Sequence, residues 1–173
     1  LILDNHAMKA LPLLPRLLMM FAFVAATPAY AAGAPKTVAV FGFTLDNTSP
    51  LPSTPEELAR TTRIGRAFAA DLQKSGLYRV VDTAQSAAFM DTQASIRNCN
   101  GCELDAAKKL GAQLAAYGWV QKVSDLILNL NCVIEDANTG KFVAGGSVDI
   151  RGNTDESWDH GLQYLMQEHV LPH

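Results

Sequence analysis

Thr37 to Phe43 reads Thr-Val-Ala-Val-Phe-Gly-Phe, an almost unbroken apolar and β-prone run. Such a run predicts a strand covered on both faces and placed inside a sheet. Thr44 to Ser53 is polar and interrupted by Pro50 and Pro52, so a long loop is expected there. A helix follows. Thr54 can cap it, Pro55 suits the first helical position, where no donor is needed, and Glu57 completes a capping box. Leu58, Thr61, Ile64, Phe68 and Leu72 recur at three and four and form its buried stripe. Gly76 supplies the stop, with Leu77 folding back on the last turn. Tyr78 to Val81 is a short second strand. Thr83 to Ser95 is alanine-rich and expected to be helical with a thin apolar stripe, Asn98 to Cys102 breaks it, and Glu103 to Leu110 makes a short helix ended by Gly111.

The rest of the chain changes period. Leu114 to Val123 is a third strand. Leu126, Leu128, Leu130, Cys132 and Ile134 alternate with Asn129 and Asn131, which predicts a fourth strand with one apolar and one mixed face. Asn138-Thr-Gly140 turns the chain into Phe142 to Ile150, an antiparallel hairpin in which Gly145 and Gly146 point to a bulge or a close backbone approach. A last helix runs to about Val170, capped by Asn153 or Thr154, with Asp155 and Glu156 matching the dipole of its first turn and Trp158, Leu162, Leu165 and His169 facing inward. The order β-α-β-α-α-β-β-β-α predicts an α/β (α+β) fold, a mixed sheet of about five strands with helices packed on it.

Ahead of these elements the pattern is of another kind. Lys9 and Arg16 frame the apolar run Leu17 to Ala26, which closes at Ala29-Tyr30-Ala31, the layout of a cleaved signal peptide covering residues 1–31 with its true start at Met8. The run is roughly half of the twenty or so residues that cross a bilayer, so no membrane span is expected after cleavage. The residue directly after Ala31 is Ala32 and not a cysteine, which gives no support to lipid attachment there. The remaining residues, 32–173, suit one domain. Without Lys9, Arg16 and Asp4 the 14 basic and 17 acidic residues become 12 and 16, a net charge of −4. Nucleic acid is thereby an unsuitable partner, since it calls for a concentrated basic face. The expected location is the periplasm.

A resemblance adds to this. Val38-Ala-Val-Phe-Gly-Phe43, Leu72-Gln-Lys-Ser-Gly-Leu-Tyr-Arg-Val-Val-Asp82 and Ala107-Lys-Lys-Leu-Gly-Ala-Gln-Leu-Ala-Ala-Tyr-Gly-Trp-Val120, followed by a hairpin, resemble the α/β domain shared by the TolB amino-terminal domain, LpoB and CsgG. More closely, Asn98-Cys-Asn-Gly-Cys-Glu-Leu-Asp105, Gly118-Trp-Val-Gln-Lys-Val123 and Ser147-Val-Asp-Ile-Arg-Gly-Asn-Thr-Asp-Glu-Ser-Trp158 are similar to an uncharacterised family of exported bacterial proteins associated with methylotrophy and pyrroloquinoline-quinone alcohol dehydrogenases. The resemblance implies a fold and a compartment, and it raises binding of another envelope protein above catalysis.

Candidate chemistry is sparse. Cys99 and Cys102 precede a helix at the spacing of a redox pair. An oxidising compartment favours a structural disulfide between them, with thiol exchange and metal binding as the other readings. Cys132 lies mid-strand and reads as a buried free thiol. His160, His169 and His173 share no metal-binding spacing with the cysteines, and no metal or cofactor is expected. The oxygen-rich residues Asp46, Asn47, Thr48, Asp149, Asn153, Asp155 and Glu156 could converge on a hard cation, although capping explains the last two more simply. Asp46, Asn47, Asn98, Asn100, Arg151, Asn153 and Asp155 are the candidate ligand or partner contacts. Arg60, Arg63 and Arg66 step along one helix and read as a solvated face partly paired with Glu56. Neither a nucleophile elbow, a phosphate loop, a dinucleotide fingerprint nor a zinc helix occurs. The expectation is a non-enzymatic periplasmic accessory or interaction protein, with a small-ligand or metal-ion carrier and a thiol oxidoreductase as alternatives.

Overall fold

A computed structural model describes residues 34–91 and 95–171. The expected signal peptide, residues 92–94 of the alanine-rich segment, and His173 lie outside them. Five strands, β1 (Lys36–Asn47), β2 (Tyr78–Val81), β3 (Leu114–Lys122), β4 (Ile127–Asp136) and β5 (Phe142–Arg151), form one sheet in the order β2-β1-β3-β4-β5. β1 runs parallel to β2 and β3, and β3, β4 and β5 are antiparallel neighbours. Four helices pack on it: α1 (Pro55–Lys74), α2 (Ala84–Asp91), α3 (Cys102–Lys109) and α4 (Asp155–Leu165). The α/β fold, its mixed sheet and its element order are as the sequence predicts.

The inner sheet face carries α1 and α4. Ile64, Phe68 and Leu72 of α1 and Trp158, Leu162 and Leu165 of α4 close over Val38, Val40, Leu114, Val120, Leu128, Leu130 and Ile134. Full burial of one such aliphatic or phenyl side chain is worth about 1.5–3 kcal/mol. The outer face has a smaller core of Ala39, Ala107, Ala112, Ala115 and Ala137, whose short side chains bring α3 close to β1 and β3.

Three expectations need correction, and in β5 one of the two stated alternatives holds. β1 runs to Asn47 rather than ending at Phe43. Its register with β3 shifts between Val40 and Phe43, and Gly42 sits there with φ of +78°. A bulge resets the side-chain alternation, so a strand read with strict period two loses its phase at this point. Phe43 and Leu45 therefore join the inner core, while Thr44 and Asp46 lie opposite Trp119 and Gln121. Phe43 fits because β3 has no side chain at Gly118; a Cβ there would lie 2.3 Å from the ring.

In the first turn of α1, Leu58 is 54% exposed and Glu57 takes the inward place. At the far end of the chain, Met166–Val170 form a π-helical turn. Leu165, Met166 and Val170 continue the buried stripe, and His169, which lies over Gly146, stays exposed. In β5 the register irregularity falls between Ala144 and Phe142, at Val143 rather than at the glycines. Gly145 instead answers to close approach: its φ is +137°, and a Cβ would lie 2.3 Å from the Cys132 carbonyl oxygen.

Gly145→Ala is accordingly expected to cost more than about 2 kcal/mol in urea unfolding, because both the backbone conformation and the space are denied to a side chain. A change below about 0.5 kcal/mol would show that β5 can move off β4 at this point.

Candidate functional site

The helices cover the outer sheet face unevenly. α3 and the 3-10 turn Ile96–Asn98 lie on the side of β1 and β3, and the outward residues of β3, β4 and β5 beyond them form a half-exposed surface. Strand alternation places Tyr117, Trp119 and Gln121 of β3 there, level with Val133, Asn131 and Asn129 of β4 and with Gly145, Ser147 and Asp149 of β5. The Tyr117 and Trp119 rings stack with centroids 6.4 Å apart. The Arg97 guanidinium lies 4.3 Å above the Trp119 ring and donates to Asp46 at 2.9 Å. Asn131 donates to Asn129 at 2.6 Å, Asn129 donates to Asp149 at 2.8 Å, and Ser147 donates to Asn129 at 3.0 Å. An aromatic centre with its cation already positioned is thus bordered by a fixed run of amides. Desolvation pushes the Tyr117 phenol up to about 12, with Glu135 and Glu103 adding to the effect, so the ring stays neutral.

At the margin of this face Ser95 caps the 3-10 turn, and the chain passes through Asn100 and Gly101, both with positive φ, into α3. Cys99 and Cys102 form a disulfide with a Cα separation of 5.5 Å. Among the described residues one group of three metal-capable side chains converges, Cys99, Cys102 and Glu103, and its two sulfurs are joined to each other. Cys132 is free and buried, and burial pushes its thiol up to about 12.

A third cluster lies at the end of β3, beneath α1. Lys122 and Glu57 are each 1% exposed and meet at 2.5 Å. Asn153 donates to the same Glu57 oxygen at 2.5 Å and accepts from the Trp158 indole at 3.0 Å, while the Thr54 backbone N–H holds the other oxygen at 2.9 Å. Asp125 takes a second Lys122 bond at 2.8 Å. Burial alone would raise the Glu57 carboxyl, but hydrogen bonds from Lys122, the Thr54 backbone and Asn153 outweigh it and hold the group below its ordinary value of 4.5. Asp125 and Glu57 together raise the Lys122 ammonium.

The predicted contact residues divide among these places. Asp46 and Asn98 line one shallow pocket of about 290 Å³ with Ser95 and Arg97. Asn100 lies exposed in the cysteine turn, and Arg151 is exposed at the end of β5, opposite Ile127. Asn47 folds its own loop, accepting from Ser49 and donating to the Leu51 carbonyl. Asn153 belongs to the buried cluster, and Asp155 pairs with Arg60 at 2.6 Å. Arg63 pairs with Asp159, so two of the three stepped arginines bind α4. Thr154 is the cap of α4. Tyr117, Trp119, Arg97, Glu103, Lys122 and Asn131 were not among the predicted sites. The alternation Tyr-x-Trp-x-Gln in β3 was the available signal for an outward aromatic face.

The architecture is that of a class of small α/β domains. The chain is similar to lipoprotein GNA1162 from Neisseria meningitidis, at 16% identity over 70% of this chain and 84% of that one, with a TM-score of 0.51. The LpoB C-terminal domain from Salmonella enterica aligns at 18% identity over 71% of this chain and 87% of its own, with a TM-score of 0.45. TolB from Acinetobacter baumannii aligns at 10% identity over 78% of this chain and 28% of its own, with a TM-score of 0.42. No curated protein matches the chain in sequence. Residues 36–170 match the family described as "Protein of unknown function (DUF2380)", and the chain belongs to that family.

Replacing one member of a buried ion pair strands the other, at a cost of about 3–5 kcal/mol. Lys122→Met is therefore expected to lose that much at pH 7. A depressed folded-state pKa stabilises above the unfolded value and loses that contribution as pH falls through the folded one. The stability gap between wild type and Lys122→Met, measured by urea unfolding, should consequently be largest at neutral pH and shrink towards pH 3. A gap independent of pH would remove Glu57 from the explanation.

Proposed function

We propose that the protein is a periplasmic interaction protein, not an enzyme, that docks another envelope protein on the half-covered outer face of its sheet. The observation that carries this reading is the stacked Tyr117–Trp119 pair under Arg97. Aromatic and arginine side chains supply most of the energy at protein interfaces, and a surrounding ring of lesser contacts keeps water away from them. Here the two rings are held by the strand, and Asp46 and the Trp119 ring fix the guanidinium before any partner arrives. Pre-positioning of this kind lowers the ordering cost of association. Asn129, Asn131, Ser147 and Asp149 supply the polar border.

The signal-peptide pattern and the oxidised cysteine pair support an exported location, and a lipoprotein with the same fold agrees with envelope work. Among the described residues no helix is long and apolar enough to cross a membrane. The resemblance to a family associated with pyrroloquinoline-quinone alcohol dehydrogenases makes a periplasmic quinoprotein the first partner to test.

The test places a photo-crosslinking residue at Ser147, on the outer face, and separately at Gln163, exposed on α4, in cells that export the protein. A discrete adduct with one protein is expected from position 147 and not from 163. Trp119→Ala should reduce that adduct by about tenfold or more, as loss of a central aromatic does. Equal labelling from both positions, or labelling indifferent to Trp119→Ala, would contradict the assignment of this face.

A further inference from the structure

We propose that Cys99–Cys102 is an exchangeable disulfide that accepts an electron pair from a dithiol, with Glu103 relaying a proton to the reduced pair. This goes beyond the docking reading and does not rest on it, since one exchange per molecule calls for no catalytic turnover.

A buried carboxyl lies against the bridge. Glu103 is 6% exposed, and its carboxyl meets its own backbone N–H and the Cys99 sulfur, the latter at 3.3 Å from Oε2. The Ile96 carbonyl oxygen lies 3.2 Å from the same sulfur. In the disulfide that sulfur carries no proton, so neither oxygen receives a hydrogen bond from it. Reduction supplies one: a Cys99 thiol can donate to Glu103 or to Ile96. Opening the bridge therefore adds a hydrogen bond beside Glu103, and the carboxyl lies where an acid that protonates a released Cys99 thiolate has to be.

The two sulfurs also differ in the way exchange requires. Cys99 is half-buried and the more accessible of the two residues, and Cys102 is buried as the first residue of α3. The Cys102 backbone N–H points at Cys99 Sγ at 3.2 Å. An incoming thiolate from the dithiol attacks Cys99 Sγ, the S–S bond breaks, and its electron pair stays on Cys102 Sγ at the positive end of the helix. The second sulfur of the dithiol then attacks the first, closes its own disulfide and releases Cys99 as a thiolate. Glu103 gives that thiolate a proton and regains one from solvent. The dithiol is oxidised to a disulfide: its two electrons end on Cys99 and Cys102, its two protons leave to solvent, Cys99 takes one back through Glu103, and Cys102 takes one from solvent or stays a thiolate at the helix start.

Desolvation raises the Glu103 carboxyl, its own backbone N–H opposes this, and Asp105 adds to the rise, which suits a group that must hold a proton. Glu135 of β4 and Tyr117 of β3 also face it electrostatically. Buried Cys132, with its raised thiol, stays outside the exchange.

The test equilibrates the folded protein with mixtures of reduced and oxidised glutathione and counts free thiols by alkylation and mass. Half-opening within the accessible range of mixtures is expected, with the glutathione adduct on Cys99 when Cys102→Ala is used. Glu103→Gln should keep the far-UV spectrum and thermal midpoint of wild type but slow reduction by dithiothreitol by at least about tenfold and flatten its pH profile. A bridge that stays closed in every mixture until the protein unfolds would overturn the proposal. So would Glu103→Gln reduced at the wild-type rate; if that variant does not fold, the wild-type glutathione titration decides alone.

Discussion

The buried contact between Lys122 and Glu57 is the constraint on which the rest of the structure depends. Each of the two charges would be expensive alone, and together they are tolerable because further polar groups bond to them. Thr54 does so through the cap of α1, Asn153 through the chain entering α4, and Asp125 through the turn between β3 and β4. The Trp158 indole, fully buried in the core, is held by the same Asn153. One ion pair therefore sets where two helices begin relative to the end of the central strands. The ion pairs from Arg60 and Arg63 to α4 extend that link on the surface, where each is worth much less.

Fixing both long helices on the inner face has a consequence on the other side of the sheet. Among the described residues, short helical segments cover the outer face, and they reach β1 and part of β3. The bulge at Gly42 then decides what that face shows. It sends Phe43 and Leu45 inward and turns Asp46 outward, where Asp46 meets Arg97 and Arg97 meets Trp119. The cysteine turn lies next to this arrangement, because the chain that delivers Arg97 continues directly into Cys99. The outer-face aromatic pair and the disulfide are thus neighbours through covalent continuity as well as through the field that Glu103 exerts on Tyr117.

Local signals were readable wherever one residue type has one structural use. Thr54-Pro-Glu-Glu57 fixed the start of α1, the alternation of Leu128 to Ile134 fixed β4, and Asn138-Thr-Gly140 fixed the hairpin. What escaped depends on partners distant in sequence. Glu57 looks like a capping residue until Lys122, 65 positions on, arrives beside it. Asn153 and Asp155 look like helix-start chemistry or cation ligands, and their uses are set by Glu57 and Arg60. Gly42 hides the second half of β1, since a glycine inside an apolar run does not announce which way the next side chain points. Glu103 reads as an ordinary first-turn acid, and its burial against Cys99 is known only once the turn is folded. The fold was therefore legible in outline, while the site had to be assembled from contacts.

The most direct measurement of the central claim is a double-mutant cycle between Glu57→Gln and Lys122→Met, read by urea unfolding at pH 7. If the pair is the knot that joins α1 to the sheet, each single change is severe and the double variant recovers much of the loss, giving a coupling of about 2–3 kcal/mol. Simple additivity of the two changes would contradict it.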